Sequence, residues 1–153
     1  MTTLRIYDSS DGVLALDLSD LIDLLAPRSL EASWTASPVR VNHPDPGRFY
    51  DEFMMTGSRP PGEDQLEELA ANGLSVGGVT FSEAAHAAHQ VIWGQFVATL
   101  PEQNEPWVDI RAIDSTFYEV TTSDKAVLDA IWLAYKDVRV APGPVTSAPI
   151  ERV

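Results

Sequence analysis

Between Trp107 and Thr122 the chain alternates in polarity with a period of two, and this stretch limits the fold more than any other. Val108, Ile110 and Ala112 fall to one side, and Trp107, Asp109 and Arg111 to the other, as in a strand with one buried face. A second strand follows over Phe117 to Thr122, with Tyr118 and Val120 as its apolar positions. Slipping the pairing by one residue would turn every side chain over, so the faces decide the register. Opposing Ile113 to Phe117 leaves Asp114-Ser115-Thr116 as a three-residue loop and gathers Val108, Ile110, Ala112, Tyr118 and Val120 on one face. It also sets Arg111 across from Glu119, a pairing worth about 0.2–1 kcal/mol. A two-residue loop would place Glu119 on the apolar face. The three-residue loop is unusual only in having Thr116 at the last position, where glycine is favoured.

The preceding stretch, Val91 to Leu100, alternates as well and reaches the first strand through the turn Pro101 to Pro106, completing an antiparallel meander. Ile92, Gly94, Phe96, Ala98 and Leu100 share one face; Trp93, Gln95, Val97 and Thr99 share the other. Antiparallel sheets commonly keep one face wet. The second face would then carry Trp93, Trp107, Asp109, Arg111, Phe117 and Glu119, the candidate partner-binding residues. After the meander, Ser123 can cap a helix with Asp124 in its first turn and Lys136 near its end. Val127, Leu128, Ile131, Ala134, Tyr135 and Val138 form its core arc, and Lys125, Asp129, Trp132 and Lys136 the opposite one. A tryptophan on a solvated stripe makes Trp132, with Leu133, the candidate self-association contact.

Upstream, Thr2 to Tyr7 reads as a strand, Asp8 to Gly12 as a turn, and Val13 to Leu16 as a return strand. Ser19 or Asp17 can cap a short helix through Leu25. Leu30 to Val41 is a strand candidate interrupted by Pro38, and 42–47 is loop. Residues 48–56 alternate as a strand, with a helix begun by Asp45-Pro46 as the competing assignment. Ser58 to Gly62 is loop. Glu63 to Asn72 is a helix stopped by Gly73, with Leu74 as the apolar contact of that stop. Ser82 can cap a further helix from Glu83 to Gln90. The expected fold is therefore α+β: an antiparallel sheet of about five or six strands, with three or four helices packed mainly on one face. Residues 1–140 form one domain, followed by a Pro-rich extended or disordered tail over 141–153.

Chemistry is sparse. Gly77-Gly78 lacks the lysine and spacing of a phosphate loop. His86 and His89, three apart, do not match the HExxH metal pattern, and no nucleophile elbow accompanies His43, His86 or His89. Asp17, Asp20 and Asp23 suit a helix N-terminus better than a calcium loop. No catalytic residue, metal or cofactor is implied. With no cysteine there is neither disulfide nor thiolate, and no signal peptide or membrane-length apolar run is present, so a cytoplasmic location is expected. A net charge of −13 argues against nucleic acid and acidic membranes as partners and favours a basic protein. The function expected first is a non-enzymatic acidic interaction protein, such as an inhibitor or immunity-type protein, that binds a basic partner through the sheet face. The alternative is a small enzyme or ligand binder with a cleft beside the 107–122 hairpin, near Asp109, Arg111 and Tyr118. Homodimerisation is compatible with either.

Overall fold

A computed structural model describes residues 1–42, 49–55, 65–88 and 90–144. Leu4 and Ile6 alternate with Thr3 and Arg5 to give β1 (Thr2–Ile6). The strands β2 (Ser9–Ser10) and β3 (Val13–Leu14) close on Asp11-Gly12, whose φ angles of 54° and 78° suit a two-residue hairpin. The return strand thus pairs within its own small sheet and not with β1. Asp17 caps α1 (Leu18–Leu24), and its N–H donates to Asp20 Oδ2 at 2.8 Å. The short α2 (Arg28–Glu31) leads into β4 (Ser33–Ser37), and Pro38 separates β4 from β5 (Val39–Asn42).

The ambiguous stretch is extended, as β6 (Phe49–Glu52) and β7 (Met54–Met55). Then come α3 (Gln65–Asn72), ended by Gly73 at φ 64°, and β8 (Ser75–Gly77). Leu74 is exposed and does not pack against the helix stop. The next helix, α4 (Gly78–Ala87), starts five residues before the expected Glu83. Its first residue explains why: a Cβ on Gly78 would lie 2.3 Å from Ser29 O and 2.6 Å from Leu30 O, so only glycine lets the helix meet α2 there.

The meander follows as β9 (Val91–Thr99), β10 (Val108–Ile113) and β11 (Phe117–Thr122). Its register has Ile113 opposite Phe117 and Arg111 opposite Glu119. Glycine is not needed at Thr116, because the left-handed conformations fall on Asp114 and Ser115, at φ 52° and 55°. Asp124, not Ser123, caps α5 (Lys125–Ala134), accepting from Ala126 N–H at 2.9 Å. This helix is shorter than expected. Asp8 accepts the Lys136 and Asp137 N–H groups at 2.7–3.1 Å, which turns the chain into β12 (Val138–Ala141), so Val138 belongs to a strand.

Among the described residues the principal sheet has eight strands, all paired antiparallel, in the order β12-β1-β11-β10-β9-β4-β8, with β7 also paired to β9. It exceeds expectation because β8 and β12 are too short to show alternation and exist as partners of longer strands. Among the described residues five helices accompany it. Leu4, Ile6, Trp34, Phe96, Val108, Ile110, Tyr118 and Val120 form one core with the buried residues of α1, α3, α4 and α5. At its centre the fully buried Trp34 stacks on Phe81 at 4.7 Å and donates its indole N–H to Ser29 O at 2.8 Å. No helix among the described residues is long and apolar enough to cross a membrane.

Candidate functional site

Because strand side chains alternate, the sheet face turned away from that core is fixed by the odd-numbered positions of β1, β9, β10 and β11. The registers arrange it in three transverse rows. The first joins Trp93, Ile113 and Phe117. With Val39 and Tyr7 these make a second, small apolar cluster at the hairpin end, and Tyr7 meets Phe117 at 4.9 Å.

The middle row runs Arg139, Arg5, Glu119, Arg111, Gln95 across five neighbouring strands. Glu119 is fully buried; Arg5 Nε donates to it at 3.0 Å and Arg111 Nη1 at 3.3 Å. Arg111 Nη2 reaches back to Asp109 Oδ2 at 2.8 Å, and the buried Arg111 Nε has no hydrogen-bond partner among the described residues. Arg5 also lies 5.0 Å over the Phe117 ring, and Arg139, held by Asp137 at 2.9 Å, lies 4.1 Å over Tyr7.

The third row is Ala141, Thr3, Thr121, Asp109, Val97 and Thr35, in which three threonine hydroxyls accompany one carboxylate. Thr3 and Thr121 share a hydroxyl contact of 2.9 Å. Asp109 takes both carboxylate oxygens to Gln95 Nε2 at 3.2 Å. Burial pushes its carboxyl above the usual range and Glu119 adds to this, while Arg111 and Gln95 pull the other way. A groove of about 400 Å³ opens here, lined by Thr3, Thr121, Asp109 and the segment from Val140 to Pro144.

Trp107 stands apart from this face. It precedes the first residue of β10, its ring enters the main core, and its indole N–H donates to Asp124 at 2.9 Å. Arg28 lies 5.0 Å over that ring and pairs with the same carboxylate. Burial acts to raise the Asp124 carboxyl, but the Trp107 and Ala126 donors and Arg28 outweigh it and hold the group below its ordinary value. A second groove, of about 690 Å³, lies against Arg28, Trp107 and Asp124 and is flanked by Gln103 and Glu105. Met1 borders both grooves.

Five of the six candidate residues thus share a face, but Arg111, Phe117 and Glu119 are buried there by contacts within the chain. Trp93 and Asp109 keep partial exposure. Tyr118 lies wholly buried on the opposite face, where its hydroxyl faces the Leu18 backbone without closing a hydrogen bond, so it lines no cleft with Asp109. Trp132 is half exposed and Leu133 almost fully so. Among the described residues no three His, Asp or Glu side chains converge to hold a metal ion. His86 bridges helices instead: its Nδ1 lies 2.7 Å from Ser82 O and its Nε2 2.9 Å from Asp23 Oδ2. Both contacts are to acceptors, which favours the protonated ring and raises its pKa above the ordinary value. His43, His89, the 58–62 loop and the tail beyond Pro144 lie outside the described residues. Arg5, Thr3 and Arg28 were not legible as members of these sites. The polar positions of β1 signal Thr3 and Arg5, but only the pairing of β1 with β11 brings them to the hairpin.

The fold and this face define an α+β chain built on an antiparallel sheet whose outer face carries a buried ionic row beside an open groove. No protein-family model, curated protein or solved structure matches it.

Proposed function

We propose that this chain is an acidic interaction protein that binds a basic protein partner, with the open part of the second sheet face, around Trp93 and Asp109, as the contact. An inhibitor or immunity-type protein that blocks a basic enzyme or toxin is the concrete form, in a cytoplasmic setting. The disposition of charge carries this reading. Arg5, Arg28, Arg111 and Arg139 each hold a carboxylate of the chain itself. Glu31, Glu68, Glu83, Glu102, Glu105 and Asp129 are exposed, and the exposed Lys125 and Lys136 do not offset them within a net charge of −13. Such a field steers a basic partner and speeds its encounter.

The test is affinity capture from a lysate of the source organism at low salt, followed by calorimetry with whatever basic protein is retained. A one-to-one complex is expected, weakened by rising salt and at least about tenfold by Trp93→Ala, an aromatic anchor of the kind that dominates such contacts. Failure to retain any basic protein refutes the reading.

The 690 Å³ groove supports a second reading, since small-molecule sites commonly measure about 300–1,000 Å³. A small ligand whose thermal stabilisation disappears with Arg28→Ala would favour it. Self-association through Trp132 and Leu133 is proposed alongside either; sedimentation should show a dimer that Trp132→Glu converts to a monomer, and an unchanged mass refutes it.

A further inference from the structure

We propose that the groove at the third row of the second face seats one basic side chain, lysine or arginine, of the protein partner. This rests on the basic-partner reading and names the place where it is anchored. Lysine and arginine carry an apolar stem and a cationic head, and a complementary seat needs an apolar wall leading to oxygen acceptors. The groove has both. Ala141, Pro142 and Pro144 supply apolar wall, and Thr3, Thr121 and Asp109 bring oxygens to its sheet side.

The carboxylate is unevenly used. Asp109 Oδ2 receives Arg111 at 2.8 Å and Gln95 at 3.2 Å, whereas among the described residues Oδ1 receives Gln95 alone, at 3.2 Å. An oxygen of an ionised carboxylate accepts two hydrogen bonds, so Oδ1 has capacity for a further donor. The Thr3–Thr121 pair, one register step away on β11 and β1, offers lone pairs beside it. An incoming cation would restore the charge stabilisation that Asp109 loses by burial. The neighbouring row supplies only part of it, because Arg111 is shared between Asp109 and Glu119 and Arg5 is held by Glu119.

The experiment is an NMR titration of the full chain with Nα-acetyl-lysine methylamide and, separately, with a hexalysine peptide. Shifts confined to the amides of Thr3, Asp109, Thr121, Ala141 and Gly143 are expected. Asp109→Asn should weaken hexalysine binding about tenfold, whereas Asp129→Asn, which removes the same charge from an exposed site on α5, should change it less than twofold. Gly143→Trp provides a second variant that leaves the ionic row untouched. Its Cβ position meets no atom within 4 Å, so the new ring can fill the groove, and the shifts should vanish. Shifts that survive both variants, or equal weakening by Asp109→Asn and Asp129→Asn, overturn the seat and reveal only a diffuse acidic surface. That result leaves the basic-partner reading standing; the reading itself falls only if capture retains no basic protein.

Discussion

Replacing Glu119 by leucine removes the one carboxylate that touches both Arg5 and Arg111. The consequence is set by how far each arginine can reach water. The Arg5 side chain is 25% exposed and can rehydrate, whereas that of Arg111 is 9% exposed and keeps only Asp109. Breaking a buried ion pair from one side costs about 3–5 kcal/mol, because the remaining charge stays desolvated. The surviving Asp109 contact puts Glu119→Leu near the lower end, about 3 kcal/mol, or roughly 6–12 °C in Tm for a chain of this size. Arg111→Leu should cost a similar amount, since it takes a guanidinium away from the fully buried Glu119 carboxylate. The double variant removes both desolvated groups, and apolar replacement of whole buried pairs is often neutral. It should therefore cost less than either single change. Urea unfolding of the four proteins measures all three differences, with equal m-values as the check that only stability has changed. Additive costs, with the double variant losing about 6 kcal/mol, would refute the claim that the row acts as a coupled unit.

Two further predictions rest on the helices. Gly78→Ala should destabilise by about 1–3 kcal/mol in the same urea assay, because the added methyl meets backbone of α2 at 2.3–2.6 Å and one segment must move. A loss below about 0.5 kcal/mol would mean that the α2–α4 contact is loose. The His86 pKa should lie above its ordinary 6.5, raised first by the Ser82 carbonyl and then by the Asp23 carboxylate. A pKa raised by folding gives a stability contribution complete below the unfolded value and lost as pH rises through the folded one. Both partners are largely exposed, so this amounts to less than about 0.5 kcal/mol and is better read from the imidazole resonances than from melting. Asp23→Asn should lower the midpoint; an unmoved midpoint removes Asp23 as a cause.

What the sequence revealed divides along one physical line. The 107–122 hairpin, its register and the Arg111–Glu119 pair were legible because face alternation and a short loop are local properties. The early start of α4 was not, since Gly77-Gly78 has turn composition and only Gly78 becomes helical, through its fit against Ser29 and Leu30. The fate of Val138 was similarly hidden: helical spacing includes it, but Asp8, 128 positions from Lys136, ends the helix and turns the chain into β12. At the candidate site, parity correctly put Trp93, Asp109, Arg111, Phe117 and Glu119 on one face. It could not show that Arg5 arrives from the far end of the chain to bury Glu119. Nor could it show that Trp107, lying just before the strand, turns its ring to the helix side.

The placement of β1 between β11 and β12 has a consequence for how this protein is made. The Thr3–Thr121 hydroxyl contact closes over 118 positions, and both hydrogen-bonding edges of β1 are filled by strands synthesised more than 110 residues later. At translation speeds of about 5–20 residues per second, β1 waits roughly 6–24 s with both edges unpaired before either neighbour is synthesised. During that interval the nascent chain presents an unpaired apolar strand. The risk of misassociation therefore falls within synthesis itself, and it ends when the last strands dock on either side of the first.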